Sequence, residues 1–356
     1  MKGLILAGGL GTRLRPLTHT GPKQLIPIAN KPVLHYIVDD MASSGIMDIG
    51  VIVGYTEERI NAIKESLGDG SKWGVRIAYI EQDAPRGLAH AVYIAKGFLG
   101  KESFVVYLGD NIMKSGIKKF IEEFDGSGAD ISLLLSQSHS PEKFGVACLD
   151  GNKIVKVEEK PKNPESNLVI TGVYIFNQKI FDYIETIKPS GRGELEITHA
   201  IQKAVESGKH KIIAHIVDGW WDDTGTADDI LHANRMILHD LKTSVKGIAI
   251  NSSITGNVEI GENSVIDGAV LRGPVKIGSN CTVKNAYIGP YTSIGDNTVI
   301  TSGEIESSII MGGSRIDIGN KRIFDSLVGK NVKIESNRSF PKGFRFVIGE
   351  DSEIKL

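Results

Sequence analysis

The stretch Gly3–Pro32, GLILAGGLGTRLRPLTHTGPKQLIPIANKP, decides the reading of the chain. The apolar run Leu4-Ile5-Leu6-Ala7, bounded by glycines, has the pattern of a buried strand. It opens into Gly8-Gly9-Leu10-Gly11, a turn in which backbone N–H groups can converge on an anion. Arg13, Arg15 and Lys23 follow closely. Backbone donors and three cations suit a polyphosphate. A P-loop would need Lys-Ser or Lys-Thr after the glycines, and Thr12-Arg13 stands there. A dinucleotide fingerprint would need a third glycine, and Leu14 stands there. The loop is therefore a phosphate cradle of another kind.

Taken whole, GGxGTRLxPxT followed by PKQLxPxxxKP resembles the signature of the sugar-1-phosphate nucleotidyltransferases. The KQL variant is most similar to the glucose-1-phosphate thymidylyltransferases of the long form, which carry an extra C-terminal domain. The resemblance implies a Rossmann-like, mostly parallel α/β catalytic domain, followed by a left-handed parallel β-helix. It also implies that Ala7, Gly8, Gly9, Gly11, Thr12 and Arg13 hold the nucleotide phosphates.

Composition sets outer bounds. A chain of 356 residues has room for two domains, and 41% apolar with 24% charged residues is ordinary for a globular protein. A net charge of −2 offers no general attraction to nucleic acid or anionic lipid, so phosphate binding must be local. No nucleic-acid or membrane partner is expected. Cys148 and Cys281 lie far apart and read as two unpaired thiols of a cytoplasmic protein. The start of the chain lacks the pattern of a signal peptide.

Strand and helix patterns alternate as far as residue 240, with helices expected at Val33–Ser43, Glu57–Leu67 and Leu88–Phe98. Gly109-Asp110-Asn111 follows the apolar strand Phe104–Leu108. Ligands of open α/β sheets bind outside such strand ends, so Asp110 is placed to hold a divalent cation, although helix caps use the same residue. The segment from Gln82 to Ala89 resembles the family's base- and ribose-contacting loop, with Gln82 and Gly87 facing the nucleotide. Gln24 has an amide that matches the donor–acceptor edge of thymine or uracil.

The sugar side is carried by four further matches. Phe144-Gly145-Val146 resembles a Tyr-Gly-Val segment, with phenylalanine in place of the tyrosine. Glu158-Glu159-Lys160-Pro161 matches EEKP: Glu159 would accept from sugar hydroxyls and Lys160 would bind the 1-phosphate. Asn167–Asn177, NLVITGVYIFN, places Thr171, Val173 and Tyr174 at the sugar, beside Asn111 and Gly145. Arg192, in RGELEIT with Glu196, supports the same site. Finally, Trp221-Asp222-Asp223-Thr224-Gly225-Thr226 matches W-x-D-T-G-T. Asp223 then joins Asp110 as a ligand of Mg²⁺. Adjacent side chains of an extended segment point to opposite faces, so only one of Asp222 and Asp223 should reach it.

Beyond the polar stretch His239–Lys246, read as a linker, apolar residues recur every six positions. They run Ile254, Ile260, Ile266, then Ile277, Val283, then Ile288, Ile294, Ile300, and many are followed by glycine. This is the hexapeptide repeat of a parallel β-helix. Frame slips near Gly273-Pro274 and Tyr287-Ile288 read as corners, and Phe340–Ile348 as a cap. Acyltransferases use such domains with a histidine base, yet all nine histidines lie at or before His239. Homo-oligomerisation or regulation is the expected role.

The expected organisation is a catalytic domain over residues 1–240 and a β-helix over 247–356. The expected reaction joins dTTP, or UTP, to glucose 1-phosphate with Mg²⁺ and releases pyrophosphate. Arg13, Lys23, Asp110 and Lys160 would do the charge neutralisation. A non-catalytic sugar-nucleotide sensor is the competing class; retention of all the phosphate cations and both aspartates argues against it.

Overall fold

The computed structural model describes residues 1–54, 56–151 and 153–336. The expected cap at Phe340–Ile348 lies outside the described residues. In chain order the elements run β1 (Lys2–Leu6), a short ribbon β2 (Pro27–Ile28) and β3 (Lys31–Pro32), α1 (Val33–Ser43), β4 (Asp48–Val53), α2 (Glu57–Leu67), β5 (Arg76–Glu81), α3 (Leu88–Ile94), α4 (Lys96–Leu99), β6 (Phe104–Leu108) and β7 (Asn111–Met113). They continue with α5 (Lys118–Ser127), β8 (Ile131–Gln137), β9 (Gly145–Asp150), β10 (Lys153–Glu159), β11 (Leu168–Phe176), α6 (Ile180–Ile184), α7 (Ile197–Ser207), β12 (Ile212–Ile216), β13 (Trp221–Asp223) and α8 (Ala227–His239).

Two compact units emerge. One comprises Met1–Gly11, Thr20–Leu25 and Val33–Asp223; the other comprises Thr12–His19, Ile26–Pro32 and the described chain from Thr224 onward.

The first unit is built on a nine-stranded sheet of order β5-β4-β1-β6-β11-β8-β12-β10-β9. Its β5-β4-β1-β6 half is wholly parallel. β1 shows why: Leu4 and Ile5 are fully buried and Leu6 nearly so, the continuous apolar pattern of a strand covered on both faces. α1 covers one face with Val33, Leu34, Ile37, Val38 and Met41, all fully buried at helical spacing. Gly3 allows that approach, since a Cβ there would sit 2.7 Å from Met41 Sδ. The other half is mixed: β11 runs antiparallel to β6 and β8, and β9 and β10 form a hairpin. A tight hairpin turn forces antiparallel pairing. The helix expected over Leu88–Phe98 breaks at Ala95, whose N–H turns to the carbonyl of Val92, giving α3 and α4.

In the second unit the six-residue period becomes a three-faced coil of parallel strands. Ile260, Ile277, Ile294 and Ile310 stack on one inner face. Ile266, Val283, Ile300 and Ile316 stack on the second, and Leu271, Ile288, Ile305 and Ile323 on the third. Nearly all are fully buried. Asn263, Asn280, Asn297 and Asn331 turn one corner at φ 59°, 56°, 60° and 58°. Asparagine accepts that left-handed conformation better than most residues. The first expected slip, at Gly273-Pro274, is a corner. The second is a short strand, Ala286–Ile288, flanked by two corners, Asn285 at φ 45° and Tyr291 at φ 59°. The linker is also shorter than read, because Ser244–Val245 already pairs with Glu259–Ile260.

A cleft of about 370 Å³ lies in this unit among Arg235, Glu306, Ser307, Arg322, Phe324 and Asp325. Arg235 faces Asp325 and Arg322 faces Glu306, so its charges are already matched.

Candidate active site

The sheet order places β4 on one side of β1 and β6 on the other. In an open α/β sheet this reversal opens a crevice at the carboxyl ends of the strands. Register brings three chain segments together there. Leu6 stands opposite both Ile52 and Leu108, so Ala7-Gly8, Val53-Gly54 and Gly109-Asp110 leave the sheet side by side. Their backbones touch. A Cβ on Gly54 would lie 3.0 Å from the Gly8 carbonyl oxygen, and one on Gly109 would lie 2.8 Å from that of Leu6. Gly54 escaped the sequence reading, although its signal, a glycine at a strand end, was there to find.

The two halves of the N-terminal signature meet at this crevice. A Cβ on Gly9 would contact Lys23 Cε at 3.7 Å and Gln24 Nε2 at 3.8 Å. The Lys23 ammonium donates to Asp110 Oδ2. Burial pushes the Asp110 carboxyl up, but the Lys23 charge and hydrogen bond, with a bond from Asn111 Nδ2, bring it below the usual carboxylate range. Gln24 is buried, and among the described residues its Oε1 has no hydrogen-bond partner. A buried polar atom without a partner marks a place where a ligand's donor belongs.

Gln82 is buried against the loop. Its Oε1 would lie 2.6 Å from a Cβ on Gly8, and its Nε2 is 3.5 Å from His90 Nδ1, a partner the sequence reading missed. Gly87 sits at φ 99° with Leu195 backbone atoms 2.6 and 2.7 Å from a hypothetical Cβ, so only glycine fits. Thr12 and Arg13 are exposed and belong to the second unit. There the Arg13 guanidinium lies against Gly225, whose Cβ would be 3.0 Å from Nη2. This supplies a reason for glycine in the Thr-Gly-Thr motif.

β13 pairs with β7, Asp223 opposite Asn111 and Asp222 opposite Ile112. Cross-strand partners share a face, so the backbone sets Asp223 on the side of Asn111 and Asp222 on the other, but their carboxylates still come within 4.8 Å of one another, so the expectation that only one of them can reach a cation does not hold. Trp221 is on the Asn111 side too, and its Nε1 donates to Asn111 Oδ1 at 2.7 Å. Asn111 passes the contact on by donating to Asp110 Oδ1 at 3.0 Å. The ring of Trp221 meets Phe144 edge-on at 5.4 Å, which makes it a wall rather than loose core.

On the sugar side Glu159 stands opposite Gly145 across the hairpin. Its Oε2 accepts from Thr198 Oγ1 at 3.0 Å and its Oε1 from Arg192 Nη2 at 3.1 Å. Arg192 also donates to the buried Glu196 at 2.8 Å. Burial, then the charge of Glu196, push the Glu159 carboxyl above the ordinary glutamate range, against the pull of Lys160, Thr198 and Arg192. Lys160 has φ 44° and donates its N–H to the Phe144 carbonyl at 2.9 Å. A non-glycine residue there is a strained backbone of the sort that accumulates at functional sites. The pairing of β11 with β8 is interrupted between Ile170 and Tyr174, a bulge that covers Thr171-Gly172-Val173. Thr171 turns its hydroxyl onto the Leu134 carbonyl at 2.9 Å, and Val173 and Tyr174 are buried.

A nucleotidyl transferase family model matches residues 2–240. The chain belongs to the nucleotidyl transferase family. The transferase is 47% identical, over the whole of both chains, to the low-salt glycan biosynthesis nucleotidyltransferase Agl11 of Haloferax volcanii. It is 44% identical to the glucose-1-phosphate thymidylyltransferase of Streptomyces antibioticus, covering all of this chain and 99% of that one. A Bacillus anthracis crystal structure assigned as a glucose-1-phosphate thymidylyltransferase, with a bound sucrose, superposes with a TM-score of 0.63. It is 38% identical and covers 69% of this chain and 98% of its own. Among the described residues of the transferase, no helix is long and apolar enough to cross a membrane.

Proposed function

We propose that the chain is a glucose-1-phosphate thymidylyltransferase, condensing dTTP with glucose 1-phosphate and releasing pyrophosphate. The observation that carries this reading is the meeting of the glycine loop, Lys23–Asp110 and the unpartnered Gln24 Oε1 at the sheet's reversal point. Relatives of matching length carry the same activity in their names.

In this reading the sugar 1-phosphate oxygen attacks the α-phosphorus in line and pyrophosphate leaves. Two anions must be brought together, so the protein's task is positioning and charge neutralisation. The N–H groups of Gly8, Gly9 and Gly11, with Arg13, hold the triphosphate. Lys23 moves from Asp110 to the phosphates. Lys160 supplies a point charge to the nucleophile. Glu159, with each oxygen already accepting one bond, keeps acceptor capacity for sugar hydroxyls. No general base is required, because a phosphate monoester is already ionised at neutral pH.

The donor set fits Mg²⁺. Asp110 and Asp223 offer hard carboxylate oxygens on chain segments linked through Asn111. Bound there, the cation would neutralise phosphate charge as a Lewis acid. Gln24 Oε1 would accept the N3–H of thymine or uracil. The two bases differ by a methyl, worth about 1–3 kcal/mol of discrimination, so UTP remains the alternative substrate.

We assign catalysis to residues 1–240 and the repeat domain to 247–356, with its first coil pairing already begun at Ser244–Val245, and expect a cytoplasmic homo-oligomer. Both cysteines are free, as a reducing compartment would leave them. The test is pyrophosphate release from glucose 1-phosphate with dTTP or UTP, beside an Asp110→Ala control. Release that needs the sugar phosphate and vanishes in the control supports the reading; none with either nucleotide, from folded protein, overturns it.

A further inference from the structure

Asn234, on α8, is fully buried and uses both ends of its amide. Its Oδ1 accepts from the Ala29 N–H at 2.8 Å and the Ser293 hydroxyl at 3.0 Å. Its Nδ2 donates to the Tyr291 carbonyl at 3.0 Å. Asn30 adds a fourth tie, donating to the Ile294 carbonyl at 2.7 Å. These bonds join α8, the β2–β3 turn and the coil at Thr292–Ile294, and all the segments belong to the second unit.

Two facts give the cluster a role beyond packing. The turn that it grips is strained: Ala29 has φ 46° and Asn30 φ 64°, and alanine rarely adopts such a backbone unaided. A buried polar network that bonds both ends of the Asn234 amide is rigid enough to impose it. The gripped segment is also the direct continuation of Lys23-Gln24-Leu25, a single 3₁₀ turn whose next residue, Ile26, is buried. The anchor therefore grips, at Ala29, the same stretch of chain that carries Lys23 and Gln24.

We propose that Asn234 and Ser293 are positioning residues through which the β-helix coil fixes Lys23 and Gln24, and thereby sets nucleotide affinity and base preference. The proposal rests on the reading of Gln24 as the base contact. It gives the repeat domain a part in the reaction without any reacting group of its own.

Ser293→Ala removes one donor from the cluster and is the central variant. Ser308→Ala is its control. Ser308 is equally buried one coil on, and its hydroxyl donates to the Glu306 carbonyl at 2.7 Å and accepts from the Ser326 N–H at 3.1 Å. Ser293→Ala should raise the KM for nucleotide about 3- to 10-fold, leave the KM for glucose 1-phosphate within about twofold and narrow the dTTP to UTP ratio. Ser293→Thr should restore all three, and Ser308→Ala should move none.

Hydrogen exchange reads the anchor independently of activity. The Ala29 amide should exchange faster in Ser293→Ala and at the wild-type rate in Ser308→Ala. Equal exchange in the two variants overturns the proposal. So does faster exchange without a change in nucleotide KM or base ratio, which would reduce the cluster to packing. An inactive wild-type protein would sink the functional reading instead, while the exchange comparison still decides the anchor.

Discussion

The Lys23 ammonium rests on the Asp110 carboxylate, so the phosphate-binding cation and the proposed metal ligand neutralise each other. An ion pair this sheltered, with both side chains less than one-fifth exposed, holds Asp110 ionised in a place where burial alone would favour its protonated form. Replacement of Lys23 by methionine removes that counter-charge. The Asp110 carboxyl should then titrate at higher pH, and turnover should fall by about 10²-fold or more, since a charge acting on the reacting phosphates is lost. The measurement is kcat against pH for wild type and Lys23→Met; an unchanged kcat would show that Lys23 plays no part in the chemistry.

Gln24 separates affinity from stability. Its Oε1 is buried without a partner among the described residues, so Gln24→Leu gives up no acceptor bond to them in the unliganded protein. The melting temperature should hold or rise, while the KM for dTTP rises about tenfold or more and that for glucose 1-phosphate does not. A parallel rise in both KM values would place Gln24 outside base recognition.

Glu159 and Glu196 share Arg192, and the charge of Glu196 raises the cost of ionising Glu159. The Glu159 carboxyl lies above its ordinary value, so the fold carries the cost of its charge at pH above that range and is relieved of it as pH falls and the group protonates. Glu196→Gln removes the neighbouring charge and should lower the Glu159 value. If Glu159 must be ionised to receive the sugar, the acid limb of kcat/KM for glucose 1-phosphate shifts to lower pH. A shift toward higher pH would refute the assignment.

Asp130 offers a test of stability remote from catalysis. Burial would raise its carboxyl, but bonds from Lys179, His210 and Asn177 bring it down to about 2. Its stabilisation is therefore complete at neutral pH and lost as pH falls from about 5 to about 2. Asp130→Asn should cost at most about 2 kcal/mol at pH 7, allowing for solvent screening, and should flatten the acid side of the stability curve. Urea melts at pH 7 and pH 3 would read the difference.

Gly225→Ala should displace Arg13, because the new methyl would meet Nη2 at 3.0 Å. Turnover should drop with little loss of fold. Retained turnover would show that the guanidinium has room to move.

The fold was legible because its periods are strong. Val33–Ser43 and Glu57–Leu67 were readable to the residue from one apolar face each, and the β-helix from isoleucines six apart. Part of the candidate site was legible: Gly9 and Lys23 by motif, Asp110 by its place at a strand end and Gln24 by its amide, and the structure brings these four together. What could not be read was relational. That Thr171 spends its hydroxyl on Leu134, or that His90 backs Gln82, depends on neighbours distant in sequence. The corner asparagines were readable but passed over: Gly261-Glu-Asn263, Gly278-Ser-Asn280 and Gly295-Asp-Asn297 repeat every 17 residues, a longer period hidden under the shorter one.

That longer period has a consequence for how the chain tolerates change in length. Each coil bonds to the coils before and after it, so excision of 17 consecutive residues, such as 265–281, would let the flanking ladders rejoin with their isoleucines still pointing inward. Loss of a single residue from the middle of a strand would instead turn the rest of that strand inside out. Relatives of this chain should therefore differ in the repeat region by whole coils, as a spring differs from a shorter spring, while short gaps collect at the corners.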